Sequence, residues 1–243
     1  MNPPVLAVAD LSLAAAGRLL LHALSFEVQA GERWCVIGRN AAGKSTLLRA
    51  LAGLPVPQQA GEILLQGEAA ALRAPQRAAC LRAYLPQQAH DRFELTVREW
   101  LQLHGRTPVE AGALAPVLQA LDVVHLLERP ITRLSGGERQ RVGLAGVAVQ
   151  GAALWLLDEP VSFQDPAHQR KVSHWLRAQA QQAIVMSAHD LAWVQHAATH
   201  VVALMDDGRW HAGPAAQVLN EETLVATYGC AWQCVQGQWL PRD

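Results

Sequence analysis

Short apolar runs alternate with helix-spaced segments along most of this chain. Val5 to Leu13 and Leu20 to Val28 have strand character and are joined by Ala14-Ala15-Ala16-Gly17-Arg18. A turn at Ala30-Gly31-Glu32 leads into the buried-strand run Arg33 to Ile37, and helix-like Leu47 to Leu51 follows, stopping near Gly53-Leu54-Pro55. Gly61 to Gly67 predicts a short strand between glycines, in a peripheral antiparallel sheet. Pro75 to Cys80 predicts a short helix and Leu81 to Leu85 a strand. From about residue 88 to 150 the spacing becomes helical, in Thr96 to Leu103, in Val109 to Leu121 and in a helix that Leu134 leads into. Leu154 to Leu157 and Ala183 to Ser187 then read as buried strands, each followed by a helix, Asp165 to Gln179 and Asp190 to Ala198. Strands alternating with helices imply an α/β fold with a mostly parallel sheet. The expected organisation is one domain over 1–243, with a core from 1–87 and 151–243 and a helical insertion at 88–150.

Composition narrows the partners. Hydrophobic residues make up 51% of the 243 and charged residues 17%, which suits a chain with a substantial core. A formal net charge of -1 leaves no electrostatic footprint for nucleic acid, and no Lys/Arg run marks a membrane surface. The most apolar stretch, Leu144 to Leu157, is interrupted by Gln150 and Gly151 and ends at Asp158-Glu159, too short to span a bilayer. The start, Met1-Asn2-Pro3-Pro4-Val5, has no basic segment and apolar run of a signal peptide, so a cytoplasmic location is expected. Cys35 reads as a small core residue; Cys230 and Cys234 are spaced for half a metal site but lack a second pair nearby, and reduced thiols are the simpler expectation.

Three stretches carry chemistry. Gly38-Arg39-Asn40-Ala41-Ala42-Gly43-Lys44-Ser45-Thr46 fits the phosphate-binding pattern G-x-x-x-x-G-K-[ST], between a strand-like and a helix-like segment. Its glycines let backbone N–H groups wrap around phosphates, and the helix adds its positive N-terminal end. Lys44 can reach the β- and γ-phosphates of a nucleotide and the Ser45 hydroxyl can ligate Mg²⁺. Leu154-Trp155-Leu156-Leu157-Asp158-Glu159 runs apolar residues into two carboxylates, where Asp158 can organise Mg²⁺ and Glu159 can act as general base on the attacking water. Taken alone, that pair reads equally as a solvated strand end. In Leu134-Ser135-Gly136-Gly137-Glu138-Arg139-Gln140, Ser135 can cap the following helix while Gly136 and Gly137 leave N–H groups open to an anion.

The stretch LSGGERQ, between the phosphate loop and the acidic pair, resembles the signature motif of ATP-binding cassette (ABC) ATPases, and the resemblance covers nearly the whole chain. It implies a P-loop NTPase (RecA-like) core with an antiparallel β subdomain and an inserted α-helical subdomain, hydrolysing ATP with Mg²⁺. It also implies that Gln87, in Tyr84-Leu85-Pro86-Gln87, is the Q-loop glutamine near the metal and that His189, after Ser187-Ala188, holds the γ-phosphate and positions Glu159. Ser162-Phe163-Gln164-Asp165 falls at the D-loop, where the family usually has Ser-Ala-Leu-Asp. A head-to-tail dimer would bring Ser135, Gly136, Gly137 and Asp165 of one copy to ATP on the other. Two further departures stand out. Ala41 replaces a usual glycine, which is tolerable if its backbone stays out of the positive-φ region, and Ala15 falls where an aromatic normally stacks on adenine.

About 90 residues separate loop and signature, too few for the long coiled coils of chromosome-maintenance ATPases, and no membrane segment is fused. A lone cassette is similar to importer subunits that dock on a separate permease, here near Gln87 to Gly105, with a periplasmic binding protein as an indirect partner. Leu81 to Gln88, Leu95 to Trp100 and Gly105 to Pro108 resemble the vitamin B12, ferric siderophore and haem importer group, and Ala183 to Leu191 and Tyr228-Gly229-Cys230 resemble the vitamin B12 member most. The implied place is the cytoplasmic face of the inner membrane. A soluble ABC ATPase acting on nucleic acid or as a regulator, or an exporter's cassette, remains the alternative.

Overall fold

The computed structural model describes residues 3–69, 80–88, 93–105 and 111–242. Its centre is a six-stranded sheet. In chain order the strands are β3 (Arg33–Ile37), β6 (Arg82–Leu85), β7 (Leu154–Leu157), β8 (Ala183–Ser187), β9 (His200–Leu204) and β10 (Trp210–Pro214). Their spatial order is β10-β9-β3-β8-β7-β6, parallel throughout except for the β9–β10 hairpin. Both faces of this sheet are covered, which explains why its strands are continuous apolar runs. Cys35 and Ile37, Trp155 and Leu157, and Ile184 and Met186 point into one core; Trp34 and Val36, Leu154 and Leu156, and Ala183 and Val185 point into the other. The period-2 alternation of strands thus splits each run between two cores.

On one face lie α2 (Val97–His104), α3 (Ala111–Ala120), α4 (Gly136–Gln150), α5 (Pro166–Ala178) and α6 (Leu191–Ala197). The other face carries α1 (Lys44–Leu51) and a four-stranded antiparallel sheet with order β2-β1-β4-β5, made from β1 (Leu6–Ala15), β2 (Arg18–Val28), β4 (Gln58–Leu65) and β5 (Glu68–Ala69). The chain ends with α7 (Ala215–Val218), α8 (Glu221–Tyr228) and a hairpin of β11 (Trp232–Val235) and β12 (Gln238–Pro241). Among the described residues no helix is long and apolar enough to cross a membrane.

Two elements differ from their sequence expectations. The connection expected over Ala14 to Arg18 shrinks to Ala16-Gly17, because Ala15 pairs with Arg18 and both turn residues take positive φ (50° and 75°). That is the twist-matched two-residue hairpin turn. Gly61, expected to open a strand, lies inside β4, with φ at +93°. A Cβ there would come within 2.4 Å of the Asp10 carbonyl oxygen, so the glycine permits a close strand crossing rather than marking a boundary. The helix expected at Pro75 to Cys80 lies outside the described residues except for Cys80, as do residues 89–92, Val109 and Glu110, and Arg106-Thr107-Pro108.

Helix caps follow their sequence signals. Thr96 and Glu99 form a reciprocal capping box on α2, and Ser135 and Glu138 form another on α4. Trp34 stacks on His200 and Trp155 on Trp175, so both tryptophans serve packing. Trp100 lies under the Arg139 guanidinium at 4.6 Å.

Candidate active site

Parallel register fixes the site. β3, β8, β7 and β6 lie side by side with Val36 opposite Ser187, Met186 opposite Leu157, and Leu157 opposite Leu85. The residues just beyond these strand ends, Gly38 to Lys44, Asp158-Glu159, His189 and Gln87, therefore emerge along one edge, the carboxyl ends where α/β sheets bind ligands. An open cleft of about 780 Å³ lies there. One wall is the phosphate-binding loop, with Asn40, Ala41, Gly43, Lys44, Ser45 and Thr46; another is the β1–β2 hairpin, with Ala15, Ala16, Arg18 and Leu20; Gln87, Glu159 and His189 complete it.

The loop turns into α1 at Gly43, whose φ of 102° opens the helix N-terminus toward the cleft. Lys44 is 6% exposed, and its Nζ donates to the carbonyls of Gly38 (2.8 Å) and Arg39 (2.9 Å). Burial holds the ammonium below its ordinary pKa, while the charges of Glu159 and Asp158 pull it back up. A buried cation at a helix N-terminus, with facing carboxylates to balance it, suits a polyanionic ligand carrying its own divalent cation. Ala41 does not meet the condition for easy tolerance: its φ is 62°, inside the left-handed region, so alanine occupies a glycine-type conformation under strain.

Asp158 and Glu159 follow the last residue of β7 and play different parts. Asp158 is 2% exposed, its backbone N–H donates to the Leu85 carbonyl, and its Oδ1 accepts from the Ser187 hydroxyl at 2.6 Å. The same Ser187 Oγ accepts from the Glu159 N–H at 2.9 Å. Glu159 has φ of 51°, and bonds on every side hold it there. Its Oε2 accepts from the Ser162 hydroxyl at 2.7 Å, its Oε1 meets His189 Nε2, and its carbonyl accepts from Gln140 Nε2 at 3.0 Å. Its side chain is 11% exposed against 45% for His189, so the carboxylate is nearly enclosed while the imidazole faces the open cleft.

Ser187 and Gln140 went unassigned in the sequence reading. A serine ending a strand otherwise built of Ala, Ile, Val and Met was a usable signal for Ser187. Gln140 closes the signature stretch at 5% exposure and ties α4 to the residues after β7.

The residues expected at the nucleotide are only partly brought together in one chain. Ser135, Gly136, Gly137 and Asp165 are not among the cleft-lining residues. Ser135 caps α4, and Asp165 caps α5 by accepting from the Ala167 and His168 N–H groups. These bonds and the His168 side chain hold the Asp165 carboxyl down at about 2. Phe163, 67% exposed, sits over Gly136, where a Cβ would lie 3.3 Å from its own. Ser162 and Phe163 thus connect Glu159 to the glycines that open α4. Beside it, Leu85, Gln87, Gln88, Gly136, Arg139, Gln140 and Phe163 line a smaller cavity of about 240 Å³, so Gln87 borders both spaces.

The donor set fits Mg²⁺. Ser45 and Gln87 line the cleft, and Asp158, 2% exposed with its Oδ1 on Ser187, adds a carboxylate that is not a lining residue; a hydroxyl, an amide oxygen and a carboxylate are hard oxygen donors that suit Mg²⁺ alongside phosphates and water. Among the described residues no group of three or more His, Cys, Asp or Glu forms a protein-only metal site.

A family model described as "ABC transporter" matches residues 21–162. A hemin import ATP-binding protein, HmuV, of Rhodococcus jostii is 41% identical, the match covering 88% of this chain and 76% of that protein. A vitamin B12 import ATP-binding protein, BtuD, of Shigella boydii is 39% identical over 86% of this chain and 87% of its own. Among solved structures, one described as a metal-chelate type ABC transporter in an inward-facing conformation superposes with a TM-score of 0.79 at 26% identity, covering 99% of this chain and 98% of that one.

Proposed function

We propose that this chain, which belongs to the ABC transporter family, energises uptake of a metal-bearing tetrapyrrole, haem or cobalamin, through a separate membrane permease. The enzymatic part of that role is family property: the chain is an ATPase with a P-loop NTPase fold. Import and cargo class draw support from relatives named for hemin and vitamin B12 import over most of the chain. The observation that carries the catalytic assignment is the network joining Asp158, Ser187, Glu159 and His189 at the cleft.

In this reading Lys44 and the loop N–H groups hold the β- and γ-phosphates. Ser45, Asp158 and Gln87 would hold Mg²⁺, which supplies charge neutralisation to the phosphates when bound. Glu159 Oε1 or Oε2 takes a proton from a water lined up on the γ-phosphorus. The new P–O bond forms as the bond to the β–γ bridging oxygen breaks, releasing ADP and phosphate. His189, half exposed beside Glu159, orients that carboxylate and contacts the γ-phosphoryl oxygens.

A second copy, placed head to tail, supplies Ser135, Gly136, Gly137 and Asp165; in one chain these residues do not line the cleft, and Ser135 and Gly136 at the start of α4 are exposed. The permease docks over Gln87 to Gly105, where the smaller cavity meets Gln87. The assembly then sits at the cytoplasmic face of the membrane, with a periplasmic binding protein delivering cargo. The test is uptake of labelled haem and labelled cobalamin in cells with and without this gene. Loss of one, unrescued by a Glu159→Gln copy, is expected; unchanged uptake of both overturns the haem-or-cobalamin cargo and leaves the ATPase.

A further inference from the structure

A nucleotide bound through Lys44 has to place its base against the hairpin wall, because the loop and the catalytic carboxylates occupy the rest of the cleft. That wall offers Ala15, Ala16, Leu20 and Arg18, and no Phe, Tyr or Trp lines the cleft among the described residues. Alanine and leucine side chains have no flat face for a base. Arg18 does: a guanidinium is planar, and it attracts a π-system both by stacking and by charge.

Arg18 is also anchored at the wall of the cleft. It is the first residue of β2, paired to Ala15 across the two-residue Ala16-Gly17 turn, so its backbone is rigid. Its Nη2 donates to the Asp206 carbonyl and to Asp206 Oδ1, both at 3.2 Å. Asp206 Oδ2 accepts at the same time from Arg39 Nη1 at 2.8 Å. One carboxylate between two guanidiniums leaves a net positive mouth. It also lets Arg18 swing onto a ligand while Arg39 stays paired. With the Arg18 side chain 47% exposed, a face is open to approach.

The geometry points to Arg18 as the base-stacking residue of the nucleotide site, taking the part for which this cleft has no aromatic side chain. This rests on the ATPase reading of the cleft and adds to it the residue that recognises the base.

The test compares dissociation constants for ATP and for inorganic tripolyphosphate, measured by titration calorimetry on the full chain. The proteins are wild type, Arg18→Ala, Arg18→Lys and Arg18→Tyr. Tripolyphosphate has the phosphates and their charge without a base. Arg18→Ala is expected to weaken ATP about tenfold, to leave tripolyphosphate within about twofold, and to raise KM for ATP while kcat at saturation stays the same. Arg18→Tyr restores ATP affinity because it restores a flat face, whereas Arg18→Lys, which keeps only the charge, does not. An unchanged ATP affinity in Arg18→Ala, an equal loss for both ligands, or a loss that tyrosine fails to repair overturns the assignment. Wild-type protein that binds neither ligand, or a Lys44→Ala variant that binds both normally, would instead sink the nucleotide site itself.

Discussion

Replacing Ser187 by alanine tests whether one hydroxyl holds the two carboxylate residues Asp158 and Glu159 in place. Ser187 is fully buried, donates to Asp158 Oδ1 at 2.6 Å and accepts from the Glu159 N–H at 2.9 Å. The substitution deletes a hydrogen bond to a charged group, worth about 1.5–3 kcal/mol, and strands a buried N–H at about 1–3 kcal/mol. Both losses fall on one atom and relax together, so their sum is about 3 kcal/mol rather than the full total. For a chain this long each kcal/mol moves Tm by roughly 2–4 °C, giving an expected drop of roughly 6–12 °C. Glu159 would also lose one anchor of its left-handed backbone, and ATP turnover is expected to fall by about tenfold or more, because small misplacements of reacting groups are costly. Calorimetric melting of both proteins at pH 7 reads the first effect and phosphate release the second. A Tm within about 2 °C of wild type refutes the idea that the hydroxyl bridges the two residues.

Three further substitutions probe the backbone and the caps. Gly61→Ala should cost at least about 2 kcal/mol in urea unfolding, since its Cβ would meet the Asp10 carbonyl at 2.4 Å with φ at +93°; an unchanged midpoint would contradict the strand crossing. Ala41→Gly should raise stability by about 0.5 kcal/mol, because relief of the left-handed alanine is partly offset by the freer unfolded chain; a loss of stability would contradict the strained loop. Asp165 has a carboxyl pKa lowered from 3.8 to about 2, so its charged form stabilises the fold above pH 3.8 and stops doing so as pH falls toward about 2. Asp165→Asn should therefore melt below wild type at pH 5 and above, with the gap closing across that acid window; a pH-independent gap would contradict the charge–cap interaction.

The chemistry was legible in the sequence because its residues lie in contiguous stretches with distinctive spacing. Lys44 and Ser45 sit in one loop and Asp158 and Glu159 in one strand end, and β7 and β8 coincide with the apolar runs read for them. Relations between distant stretches were not legible. Nothing local says that Leu157 lies opposite Met186, yet that register sets Ser187 beside Asp158 and Glu159. Gln140 is ordinary in a helix until α4 packs beside the residues after β7. The φ of Ala41 and the role of Gly61 depend on what the rest of the fold presses against them, and a residue type shows only what it tolerates. β9, a short run of His, Val, Val, Ala and Leu, is followed by Asp207-Gly208, a turn signal that marks the β9–β10 hairpin and that the apolar-run reading leaves unused.

The central claim is that Glu159 activates the attacking water in a cleft whose phosphate grip is separate from it. The direct test is ATP turnover by Glu159→Gln at saturating ATP, alongside its affinity for ATP. Turnover at least about 100-fold below wild type with ATP affinity retained is the predicted result. Turnover near wild type would contradict the account.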